Sequence, residues 1–175
     1  EVAAARAKLG FDKALPEQTL SNLLWAADGV TRPDGKRTAP SAVNWQEIDV
    51  YVALPQGMYL YDAKAHALKL VVAEDLRAAT GRQPFVKDAP LNLVYVADYS
   101  KMASKMMPIT DEDRNTYSCC DTGFISQNVY LFCTSEGLNT VVRGLVDKPA
   151  LAKAMKLRPE QHIVLTQTVG YPKAK

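Results

Sequence analysis

The sequence predicts a single α+β domain over residues 1–175, with a mostly antiparallel sheet set around one buried central helix. Three observations carry this. Residues 117–144 read YSCCDTGFISQNVYLFCTSEGLNTVVRG, with no proline and with apolar side chains in nearly every direction at helical spacing. Phe124, Ile125, Val129, Leu131, Phe132 and Cys133 cannot share one narrow stripe, and a helix apolar most of the way round is a buried one. Residues 48–62 alternate across a Pro55-Gln56-Gly57 turn, which is the pattern of an antiparallel hairpin. Residues 91–97 form a short apolar run suited to a sheet centre.

The other elements follow in chain order. Residues 1–9 are Ala-rich and read as the end of a helix, with Gly10 as its stop. Pro16 opens the next helix at a favoured early position, Glu17 suits its dipole, and Leu20, Leu23, Leu24 and Ala27 repeat at helical spacing up to Gly29. Residues 30–45 are dense in turn formers and make a long loop of the functional kind, with Pro33-Asp34-Gly35 as a turn. Residues 67–72 add a strand and residues 74–79 a short helix. The Met-rich KMASKMM at 101–107 reads as a half-buried helix in which Met fills gaps. Gly137 stops the central helix, residues 140–142 form a strand, residues 149–155 a helix, and residues 163–169 the last strand.

A chain of 175 residues can bury a proper core. Its net charge of +2 is not spread as a Lys/Arg block, so nothing marks a nucleic-acid surface. No apolar run approaches the length of a membrane span. The chain starts at Glu1 rather than Met, which leaves cytoplasm and periplasm both open. Cys119, Cys120 and Cys133 all fall on the central helix. Fourteen residues of helix separate the first from the last by about 21 Å, beyond disulfide reach, so buried thiols are expected. With His66 and His162 alone there is no metal-ligand cluster, and each histidine reads as an ordinary surface or packing residue.

No P-loop and no GxGxxG is present, and no Ser-His-Asp or Cys-His arrangement can be assembled. Asp111 and Asp113 read as the dipole-matched start of the central helix rather than a catalytic carboxylate pair. The polar residues inside that helix, Asp121, Ser126, Gln127 and Asn128, allow two readings. They face a solvated edge or bond neighbouring backbone, or they line the floor of a ligand site.

The stretches RTAPSAVNWQE, GRQPFVKDAP, GFISQNVYLFCTSEGLNTVVRG and VGYPK, in this order and spacing, resemble the nitroreductase family. The closest likeness is to its short branch of SagB/ThcOx-type flavin dehydrogenases. The resemblance implies a nitroreductase-like fold, an intertwined homodimer and an FMN at each of two interface sites. It also implies an oxidoreductase that takes hydride from NADH or NADPH and passes it through the flavin, in ping-pong order, to a small-molecule acceptor. In such proteins the element matching Pro40, Ser41, Ala42 and Asn44 reaches the flavin bound mainly by the other subunit. Gln83 is implied near the ribityl chain or ring edge. Val142, Arg143 and Gly144 supply backbone N–H groups to the flavin, and Lys173 with Lys175 serve its phosphate. Gly144 suits close approach of backbone to a flat ring. Arg143 either adds charge there or caps the strand end.

One departure stands out. The family's R-R-S-x-R-x-F opening is matched by Ala5-Arg6-Ala7-Lys8-Leu9-Gly10-Phe11, so Arg6 and Phe11 survive while Ala5, Ala7 and Leu9 replace basic or hydroxyl residues. Each charge-assisted phosphate bond lost removes roughly 1.5–3 kcal/mol. Arg6, Lys8, Arg37 or Lys173 substitute, or the chain is a flavin-free member that keeps the dimeric fold in a binding or structural role.

Overall fold

The strand Leu91–Asp98 is buried at all eight positions and lies between two neighbours in the sheet. A strand buried on both faces needs cover on both, and this requirement arranges the rest. The structure is a computed structural model that describes residues 9–10, 13–103 and 108–172. Among these, the elements are β1 (Leu9–Gly10), α1 (Glu17–Asp28), β2 (Ile48–Leu54), β3 (Gly57–Asp62), β4 (Ala67–Val72), β5 (Leu91–Asp98), α2 (Asp111–Ser135), β6 (Asn139–Arg143), α3 (Lys148–Ala154) and β7 (Gln161–Pro172). The sheet runs β1-β7-β5-β2-β3-β4, with β6 also paired to β7, and every pairing is antiparallel.

Side chains alternate across β5. Leu91, Leu93, Tyr95 and Ala97 point with Val50 and Val52 of β2 towards Leu23, Leu24 and Ala27 of α1 and Ile125, Val129 and Cys133 of α2. Val94 and Val96 point the other way, with Tyr51, Ala53 and Met58, towards Leu151 and Met155 at α3. The sheet is thus covered by two long helices on one face and one short helix on the other.

The helix ends obey local chemistry. Pro16 precedes α1, and its stop at Gly29 rests on space: a Cβ there would meet the Trp25 carbonyl oxygen at 2.5 Å. The Thr110 hydroxyl accepts from the Asp113 N–H while the Asp113 carboxylate accepts from the Thr110 N–H, and three acids occupy the first turn of α2. At its other end Gly137 takes φ +66° and the Leu138 N–H donates 2.8 Å to the Cys133 carbonyl, a left-handed stop.

Several sequence expectations change. Leu9 and Gly10 pair with Pro172 and Tyr171 as a strand, so Gly10 is no helix stop. The helix expected at 74–79 is a single 3-10 turn, Arg77–Thr80, and the Met-rich stretch begins with another, Tyr99–Lys101, before residues 104–107 leave the described part. β7 extends to Pro172. The central helix buries one face, through Ser118, Asp121, Thr122, Ile125, Ser126, Val129 and Cys133. Its opposite face leaves Tyr117, Phe124 and Leu131 exposed at 43%, 47% and 61%. Cys119 and Cys120 are exposed too, against the expectation of buried thiols; Cys133 is buried, and burial pushes its thiol up to about 12.

Leu93 sits wholly inside the α1/α2 face of the core. Leu93→Ala is expected to destabilise by about 2–5 kcal/mol, whereas Leu70→Ala, at an exposed position of β4, stays within about 0.5 kcal/mol. Chemical denaturation at one fixed protein concentration reads both.

Candidate functional site

The sequence-selected residues fall into two groups at different places in the chain. The first gathers at the end of β6. Arg143 is 3% exposed; its Nη1 donates 2.8 Å to the Thr80 carbonyl and its Nη2 donates 3.0 Å to Asn92 Oδ1. Asn92 Oδ1 also accepts from the Thr168 hydroxyl at 2.6 Å, and its Nδ2 donates 2.9 Å to the Val86 carbonyl. The Arg143 side chain is therefore spent on tying β6, β5 and β7 to the turn before Gly81. Neither role read from the sequence, added charge or a cap on the strand end, describes these contacts, which make Arg143 an internal anchor. Gly81 is small for a reason: a Cβ there would lie 1.9 Å from Arg143 Nη1.

Gln83 sits beside this anchor, and its Oε1 is buried with no hydrogen-bond partner among the described residues. The Arg82 N–H donates 3.2 Å to the Leu145 carbonyl, which fastens the segment carrying Gln83 to the chain just past Gly144. Gly144 is exposed, and a Cβ on it would touch only Leu165 Cδ2 at 3.7 Å among the described residues. The Val142 N–H points away from β7 and donates 2.9 Å to the hydroxyl of Tyr130 on α2. Sequence reasoning passed over Tyr130, Thr80 and Asn92, whose roles depend on pairing across 12, 63 and 51 residues.

The second group is the loop before β2. The Ala42 N–H donates 2.9 Å to the buried Asp121 carboxylate of α2, and the Gln46 N–H donates 2.9 Å to the Ser41 hydroxyl. Gln46 Nε2 donates to the Gly35 carbonyl and to Asn44 Oδ1, and Arg37 donates to Gln46 Oε1 and pairs with buried Asp28. These ties hold three non-glycine residues in left-handed backbone, Val43 at φ 51°, Asn44 at 58° and Gln46 at 50°. Such conformations cost of order 1–3 kcal/mol each and persist only where surroundings over-determine them. Val43, β-branched and 80% exposed, is displayed at the loop's tip.

Of the polar residues inside α2, Asp121 and Asn128 bond backbone, at Ala42 and Ala27, the Ser126 carbonyl accepts from Gln167, and Gln127 is exposed. Among the described residues, the cavity lined by Pro40 and Ser41 includes neither Gln83 nor residues 142–144. Arg6, Lys173 and Lys175 lie outside the described residues.

The arrangement is an antiparallel sheet with one long helix whose outer face is apolar, an open glycine edge on one side of that helix and a strained loop pinned to its other half. Residues 8–171 match the nitroreductase family, and the chain belongs to it. A candidate nitroreductase of Methanocaldococcus jannaschii is 29% identical over 161 residues, covering 86% of this chain and 78% of that protein. The crystal structure of a candidate nitroreductase from Ralstonia eutropha superposes with a TM-score of 0.87 at 45% identity, over 96% of this chain and 79% of that one. The NADPH:FMN oxidoreductase of Vibrio harveyi, in complex with NAD+, shares the fold at a TM-score of 0.68 and 17% identity, over 96% of this chain and 64% of its own.

Glu47 is fully buried beside Asp121, and burial, reinforced by that second carboxylate, raises its carboxyl from 4.5 to about 7. Burial likewise raises Asp28 to about 7, with Arg37 pulling the other way. A carboxyl whose folded pKa lies above its unfolded one stabilises fully below the unfolded value and loses this as pH climbs through the folded value. Stability should therefore fall between about pH 4.5 and 7. Glu47→Gln should remove about half of that slope in thermal melts taken across the range, leaving the comparable part due to Asp28.

Proposed function

We propose that the chain is an FMN-dependent NAD(P)H oxidoreductase of the nitroreductase type, from the short branch of that family, in which two copies complete each flavin site. The observation that carries this is Gln83 Oε1, buried with no hydrogen-bond partner among the described residues, on a segment that the Arg82–Leu145 bond fastens just past the open backbone of Gly144. A buried acceptor left unpaired is costly, and a ligand N–H or hydroxyl would satisfy it. A flat ring can lie against Gly144 because that edge carries no side chain. The residues present thus fit the group.

FMN, when bound, would supply the redox chemistry, passing a hydride from NADH or NADPH to a small-molecule acceptor in ping-pong order. The chain's own part is positional. Arg143, held by Thr80 and Asn92, keeps the end of β6 in place; Tyr130 occupies the Val142 N–H and leaves the backbone beyond it to the ligand. Gln83 orients the group it bonds. Arg6, Lys173 and Lys175 are the phosphate partners, since a phosphate needs cations.

The loop of Pro40, Ser41, Ala42 and Asn44 is tied to Asp121, and in this reading it completes the site of a second copy. The exposed Tyr117, Phe124 and Leu131 recur every seven residues, the spacing of a helix–helix seam, and Gly123 between them has open space around it. The flavin-free alternative rests on Ala5, Ala7 and Leu9, which replace the family's phosphate-binding positions.

The purified protein should be yellow or take up FMN, with Lys173→Ala binding it more weakly while the fold persists. A colourless preparation that takes up no added FMN by visible absorption ends the redox reading. Phe124→Glu places a charge in the seam and should convert a dimer into a monomer in sedimentation velocity. A wild-type chain that sediments as a folded monomer at micromolar concentration contradicts the shared site.

A further inference from the structure

A cavity of about 780 Å³ lies between the start of α1 and the β3–β4 edge of the sheet, across the sheet from β6. None of Gln83, Val142, Arg143, Gly144 or residues 40–44 lines it. Its size falls in the range of small-molecule sites. Leu15, Leu20, Leu54, Leu68 and Leu91 make its walls apolar, and Tyr59 and Tyr61 add flat aromatic surface.

Polar groups meet at one place in this wall. His66, in the β3–β4 turn, sits with its Nε2 2.8 Å from the Ser21 hydroxyl of α1 and its Nδ1 2.8 Å from the Tyr61 hydroxyl of β3. The Tyr61 and His66 rings meet edge to face with centroids 5.8 Å apart. His66 holds this position at φ 48°, a left-handed backbone that non-glycine residues adopt sparingly. Three separate elements therefore converge on one relay. In either tautomer one ring nitrogen donates and the other accepts, so each hydroxyl keeps hydrogen-bonding capacity for a ligand.

Charge narrows the ligand. Arg77 lines the cavity, but its Nε and Nη2 donate to the Asp75 carboxylate and its Nη1 to the Ala89 carbonyl, so its charge is already balanced. Glu17 adds a carboxylate at the rim. Among the described lining residues, no cation is left unbalanced for an anion.

We propose that this cavity binds a small neutral aromatic molecule bearing one hydroxyl or carbonyl group, held by the leucine and tyrosine walls and hydrogen-bonded to the Ser21–His66–Tyr61 relay. Isothermal titration of the whole chain with 2-naphthol, and separately with 2-naphthoate, tests it. The naphthol should bind saturably at one site per chain, and the naphthoate at least about tenfold more weakly, the equivalent of about 1.4 kcal/mol. Leu68→Trp, which fills the cavity, should weaken naphthol binding by a similar factor. His66→Ala, at an exposed turn, should weaken it several-fold with the melting temperature of the apo protein little changed. Saturating FMN should leave naphthol affinity as it is, which separates this site from the flavin reading whether or not that reading survives. The proposal is overturned by no saturable naphthol binding, by equal affinity for the naphthoate, by undiminished binding in Leu68→Trp, or by displacement with FMN.

Discussion

A helix with apolar side chains on two opposite faces leaves one of them in solvent where its own chain covers only the other. That constraint governs α2. Its inner face is narrow and carries small or polar residues next to large ones, with Ser118, Asp121, Thr122 and Ser126 among Ile125, Val129 and Cys133. Small side chains let the helix lie close over β2, β5 and β7; among the polar ones Asp121 accepts from the Ala42 N–H and the Ser118 hydroxyl donates to Met102 Sδ, while the Thr122 hydroxyl is buried with no partner among the described residues. The outer face keeps Tyr117, Phe124 and Leu131 in contact with solvent. Both candidate half-sites hang from this one element: Asp121 holds the loop before β2, and Tyr130, nine residues further on, holds the edge of β6.

The interior polar groups act as fasteners between elements. The Tyr95 hydroxyl donates to Gln167 Oε1, and Gln167 Nε2 donates to the Thr140 hydroxyl and the Ser126 carbonyl, joining β5, β7, β6 and α2 through a single amide. Arg143 performs the same service at the far end of β6 with Thr80 and Asn92. Inside a low-dielectric core such bonds are strong when complete and costly when broken, so they define one geometry sharply. A site built on the end of β6 is therefore rigid on the protein side, which suits binding of a planar ligand at a fixed angle. The loop around Val43 gets its definition differently, from a left-handed backbone held by several short-range bonds.

Much of the fold was readable because its signals are local. The hairpin of β2 and β3, the third strand, the fully apolar β5, the proline start of α1 and the Gly137 stop of α2 all follow from periods of two or 3.6 residues and from turn residues. The misreadings share a cause. The Ala-rich composition before Gly10 favours helix, yet Leu9 and Gly10 pair with the end of β7, a contact from the opposite end of the chain. All-round apolarity in α2 predicts complete burial, but sequence does not say how many neighbours a helix has. The thiols of Cys119 and Cys120 are exposed for the same reason. At the candidate site, Gln83 and residues 142–144 could be picked out by family resemblance, but that Arg143 is an internal anchor could not. Its partners Thr80 and Asn92 are ordinary residues until the sheet brings them together.

By itself the sequence determined most of the strands, the two long helices, the burial of β5, and to which family the motif order is similar. These rest on covalent geometry and on the apolar period along the chain, which need no knowledge of distant contacts. Tertiary structure alone decided which face of α2 is left for another surface, which arginine is spent inside, and that Ser21, Tyr61 and His66 meet at the wall of a cavity. Each of those outcomes depends on the three-dimensional approach of residues far apart in the chain, where burial, charge and hydrogen bonding are shared among several elements at once.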